Sequence, residues 1–89
     1  MKAYLDGKEI EFTHLTEFMV QVGYGSKGSY KTVNTLHGSL QQAVFYYNGI
    51  NIGNGYKKRL VMWLPEVPDP ENPDYVLPRQ SKVLIKSKS

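Results

Sequence analysis

Apolar and polar residues alternate along most of this chain with the two-residue period of strands, and that rhythm breaks once for a helix. Residues 2–5 and 8–13 alternate on either side of Asp6-Gly7, a dipeptide that favours a tight hairpin turn. Ile10 and Phe12 then share the inward face. Residues 16–22 read as a third strand, with Phe18, Val20 and Val22 on one face and Met19 and Gln21 on the other. After a glycine-rich loop, residues 30–36 resume strand character in threonine, valine and tyrosine. From Ser39 the spacing changes. Leu40, Ala43, Val44 and Tyr47 recur every three or four positions and form one apolar stripe. Ser39 is a preferred N-cap, and Gln42 three positions later completes a capping box. Gly49 stands where a left-handed residue would close the helix. A helix over residues 39–48 is therefore expected, marginal by itself and dependent on a sheet to pack against.

Asn54-Gly55 predicts a second tight turn. The strand after it, residues 56–64, places Tyr56, Lys58, Leu60, Met62 and Leu64 on one face and Lys57, Arg59, Val61 and Trp63 on the other. Both faces are cationic at the start and apolar at the end. Five prolines fall between Pro65 and Pro78, so residues 65–81 read as an extended arm rather than a strand or helix. Residues 82–86 alternate again and predict an edge strand, ahead of a basic tail. The fold class is α+β: a largely antiparallel sheet of four to six strands with one helix packed across one face. The organisation is a single domain: a compact core over residues 1–64, the arm over 65–81, and the edge strand with its tail over 82–89.

Composition changes this picture in three respects. A chain of 89 residues, 40% hydrophobic, has enough apolar material for a modest core. It contains no cysteine, which excludes a disulfide framework and thiolate metal sites. Its net charge of +3 is unevenly spread. Residues 1–64 carry seven cations and four anions, residues 65–77 four anions alone, and residues 78–89 four cations alone. No apolar run approaches the ~20 residues of a membrane span, and residues 1–12 lack the apolar region of an export signal. No membrane partner and a cytoplasmic location are the expectations.

The glycines and cations carry the candidate chemistry. Gly23-x-Gly25-x-x-Gly28 matches a dinucleotide fingerprint as a string, but the residues after it are strand-like, where that fingerprint needs a helix. No phosphate-binding loop with Gly-Lys-Ser/Thr at the required spacing is present. Two loops do share one pattern, Val22-Gly23-x-Gly25-x-Lys27 and Ile52-Gly53-x-Gly55-x-Lys57. Each delivers lysines to the end of a strand. If both turns lie at one edge of the sheet, Lys27, Lys31, Lys57, Lys58 and Arg59 form a basic rim. Tyr24, Tyr30 and Tyr56 sit among them. Cations interleaved with aromatic rings suit phosphate-bearing ligands with stackable bases. The plain alternative for the Lys57-Lys58-Arg59 run is a solvated strand end. His14 and His37 lack a ligand partner and make no zinc site. Asp6, Glu9, Glu11 and Glu17 do not pair by pattern, and Ser39 is explained as a helix cap. With no nucleophile–base constellation, no catalytic residue, metal or cofactor is expected.

In its size, its lack of cysteine and export signal, and its compact start MKAYLDGKEIEF, the chain resembles the small single-domain accessory proteins of bacteriophages that inhibit host defence. That resemblance implies a stoichiometric binder acting by occupancy in the host cytoplasm. The leading expectation is a non-enzymatic binding protein whose basic, tyrosine-containing rim takes nucleic acid or a nucleotide. The alternatives are a protein–protein inhibitor, or a structural phage component, acting on a host protein or in assembly through the acidic arm.

Overall fold

A computed structural model describes residues 1–64 and 66–87. Pro65, the first of the arm prolines, and Lys88 and Ser89 of the basic tail lie outside the described residues. The elements run β1 (Lys2–Leu5), β2 (Lys8–Glu11), β3 (Glu17–Tyr24), β4 (Tyr30–His37), α1 (Leu40–Gly49), β5 (Tyr56–Trp63) and β6 (Ser81–Lys86). The fold is α+β, with six strands in two antiparallel sheets and a single helix among the described residues. β1 and β2 form a two-stranded hairpin through Asp6-Gly7, both at positive φ as a two-residue turn of this kind requires. The other four strands form a separate sheet in the order β4-β3-β5-β6. α1 carries the chain from β4 to β5, across the intervening β3.

The expected stripe is the one that packs. Leu40, Ala43 and Tyr47 are buried against Phe18, Val20, Leu60 and Met62 of the sheet, with Val44 partly buried beside them. The hairpin covers the same face next to the helix. Its Ile10 and Phe12 enter the core, and Phe12 meets Phe18 edge to face at 5.6 Å. The Ser39 hydroxyl accepts from the Gln42 amide at 3.2 Å, as an N-cap should.

The other end of α1 departs from expectation. Gly49 remains helical and Ile50 ends the helix in extended conformation, with no left-handed residue there. The reason lies on β5. The Lys58 ammonium donates to the carbonyls of Tyr47 at 2.8 Å and Ile50 at 3.0 Å, and sits 4.5 Å from the centre of the Tyr47 ring. A cation supplied by the sheet does what a glycine turn would have done, and it also meets the negative end of the helix dipole. Burial, and next electrostatic interaction with Tyr30, push the Tyr47 hydroxyl above its usual pKa.

The sequence predicts an extended arm that is neither strand nor helix; its legs are extended but paired with each other. Its two legs run antiparallel and extend the β5–β6 ladder: Leu64 N donates to Gln80 O, Leu77 N to Val67 O and Asp69 N to Tyr75 O, each at 2.9 Å. Asp69 Oδ1 receives the Glu71 amide at the tip. At the base, the Arg79 guanidinium lies over Trp63 at 5.5 Å and reaches Glu17 Oε2 at 3.4 Å. The ribbon lengthens the molecule to 47 × 28 × 21 Å. The Cα radius of gyration is 14.7 Å, against roughly 12 Å for a compact domain of this length. No helix among the described residues is long and apolar enough to cross a membrane.

Candidate ligand cleft at the glycine-rich end

The two glycine-rich turns do meet. Gly25 N donates to Gly55 O at 2.7 Å, and the rings of Tyr24 and Tyr56, directly opposite in the β3–β5 register, meet edge to face at 4.9 Å. Glycine is required at two points. A Cβ on Gly28 would stand 1.9 Å from Tyr24 O, so only a bare backbone can pass there. Gly55 has φ +84°, and a Cβ on it would press on the Tyr24 ring at 3.1 Å.

Behind these turns lies a cleft of about 530 Å³. Its walls are Val22, Tyr24, Lys31, Val33 and Tyr56, with the backbone of Gly28-Ser29 along one side. Tyr24 is 64% and Tyr56 46% exposed, so both rings present apolar surface to solvent. Lys31 is exposed beside them and Lys27 is exposed on the loop. Among the described residues neither lysine makes an ion pair or hydrogen bond. From Phe18 to Pro65 the sequence has no Asp or Glu at all, yet it holds Lys27, Lys31, Lys57, Lys58 and Arg59. This stretch of chain therefore contributes only positive charge.

The eight candidates do not form one rim, because the pleat divides them. In the sheet register Lys31, Val22 and Lys58 make one row, and Tyr30, Gly23 and Lys57 make the next, facing the other way. Tyr24, Tyr56 and Lys31 border the cleft. Tyr30, Lys57 and Arg59 lie together on the face without the helix. There Lys57 is only 7% exposed; its ammonium stands 4.6 Å from the Tyr30 ring centre and donates to Ser26 O at 3.4 Å. Arg59 sits 3.9 Å above the same ring and donates to Gln21 Oε1 at 2.7 Å, and Gln21 donates onward to Thr32 Oγ1. The Tyr30 hydroxyl is buried without a hydrogen-bond partner among the described residues. Lys58 is engaged at the helix end. Three of the five cations are thus occupied by the protein itself, and Lys27 and Lys31 have no hydrogen-bond or ion-pair partner among the described residues.

Pattern does not single out Val33, and it makes Val22 a strand residue opening the glycine-rich loop rather than part of the site. Val33 reaches the cleft because the β3–β4 register shifts between Val20 and Gln21, leaving Val33 without a partner residue. Such a bulge re-aims one side chain, and no local residue choice marks its position. No group of three or more His, Asp and Glu residues able to hold a metal occurs among the described residues. Comparison with family models, with curated proteins and with solved structures finds no match.

Proposed function

We propose that this chain is a binding protein acting by occupancy, and that the cleft takes a phosphate-bearing ligand with a stackable base, either single-stranded nucleic acid or a nucleotide. The observation that carries this reading is the juxtaposition of two exposed tyrosine rings with an unpaired lysine around one cleft whose lining residues include no carboxylate. A ring face offers stacking to any base, worth about 1–3 kcal/mol per base. Lys31, with Lys27 nearby, offers charge to a phosphate. Backbone amides in the glycine-rich loop add donors for an anion. Lys57 and Arg59 on the opposite face, and Lys58 held at the helix end, add positive charge near this site without contacting the ligand.

The test is a binding titration of fluorescent single-stranded oligonucleotides and of free mononucleotides, repeated across salt concentrations. Binding of oligonucleotides that weakens steeply with salt identifies a polyanion ligand, since each neutralised phosphate releases counterions. Mononucleotide binding with weak salt dependence identifies a nucleotide. No binding of either at low salt refutes the reading.

A further inference from the structure

The end of the molecule remote from the cleft is its chemical opposite. Glu66, Asp69, Glu71 and Asp74 cluster on the arm, and none of them forms an ion pair among the described residues. Between them the arm exposes Tyr75 (65%) and Val76 (55%), with Val67 also exposed. Hydrogen bonds hold the ribbon in shape, so presenting these side chains costs little further ordering.

The arm cannot satisfy its own cleft. β5 separates the two, and its eight residues span roughly 26 Å at about 3.3 Å per residue. The ladder from Leu64 to Gln80 also directs the arm onward from the sheet rather than back along it. A second copy can satisfy it. When two elongated molecules lie side by side in opposite directions, the acidic end of each falls beside the basic end of the other. Both contacts then form at once, and the assembly closes with two-fold symmetry, the commonest arrangement of soluble oligomers.

We propose that two copies of this chain pair antiparallel, the arm of each seated at the glycine-rich end of the other, with Tyr75 and Val76 against the Tyr24–Tyr56 cleft and Glu71 and Asp74 near Lys27 and Lys31. The match is one of charge and of apolar character together: a carboxylate-rimmed aromatic tip meets a lysine-rimmed aromatic cleft. A phosphate ligand entering the cleft would displace the arm. The pairing itself is read with no nucleotide present, so its failure and the failure of phosphate binding are separate results.

Sedimentation velocity of the full chain tests it. The wild type is expected to form dimers at low salt, with a dissociation constant that rises about tenfold or more between roughly 50 and 500 mM salt, as exposed charges are screened. Two charge-reversed chains, K27E/K31E and E71K/D74K, alter exposed positions only. Each is expected to be monomeric alone, because both of its contacts become repulsive. Their equimolar mixture is expected to form dimers, since every arm then faces a cleft of opposite sign. A wild type that stays monomeric at low salt, a mixture that stays monomeric, or open chains larger than a dimer would each overturn the proposal.

Discussion

Lys31 and Lys58 stand on one row of the sheet, on either side of Val22, and differ in what engages them. Lys58 lies where α1 ends. Its ammonium is held by two backbone carbonyls and a tyrosine ring, and it completes the helix. Lys31 lies on edge strand β4, beyond the reach of the helix, and borders an open cleft. The residue type is the same and the strand position is equivalent. What differs is whether a helix end lies above. A cation near buried acceptors becomes part of the fold, whereas a cation beside exposed aromatic rings stays solvated and free of the fold's own contacts. Lys57 and Arg59 repeat the first case on the opposite face, where the Tyr30 ring engages both.

This contrast can be sharpened by substitutions of graded severity. The largest effect belongs to the core beneath both lysines. Phe18→Ala removes a fully buried ring that contacts both hairpin and sheet, and denaturant unfolding should show a loss of about 3–5 kcal/mol. Lys58→Ala should follow, with a loss of about 1–3 kcal/mol from two charge-assisted hydrogen bonds and a helix end left uncapped. A Lys58→Ala variant that unfolds with the parent would erase the distinction between the two lysines. Arg59→Ala should cost about 1 kcal/mol, through its stacking on Tyr30 and its bond to Gln21. Lys31→Ala and, on the arm, Pro70→Ala should change stability by no more than about 0.5 kcal/mol, as for exposed positions with few packed contacts. Thermal melts of these last two should overlay the wild type.

Much of the fold could be read from residue order because local and long-range signals agreed. Asp6-Gly7 set the first hairpin, Ser39 set the start of the helix, and the stripe Leu40, Ala43 and Tyr47 identified its buried face. Strand positions followed from alternation. Less accessible was everything decided by one element meeting another. The division into two sheets depends on which backbone edges pair, and alternation is silent about that. The end of α1 depended on a lysine eight positions beyond Ile50, so Gly49 by itself misled. The site divided along the same line. The shared pattern of the two glycine-rich turns raised only the condition that they lie at one edge; that they do depends on β3 pairing with β5. The separation of Lys57, Lys58 and Arg59 onto two faces was already implicit in the pleat, but their engagement by Ser26, Tyr47, Ile50 and Tyr30 required the third dimension. Val33 entered the cleft through a register shift that no residue announces.

The central claim is that the uncommitted lysine and the tyrosine pair, rather than the run of three cations, make the ligand site. Fluorescence anisotropy of a labelled single-stranded oligonucleotide, titrated at low salt with wild type and with the variant Tyr24→Ala/Lys31→Ala, tests it most directly. Whichever probe the wild type binds, this oligonucleotide or a labelled mononucleotide, the variant is expected to bind at least about tenfold more weakly, from one lost stacking platform and one lost cation. The melting temperature should be nearly unchanged. Equal affinity in the two proteins would contradict the account.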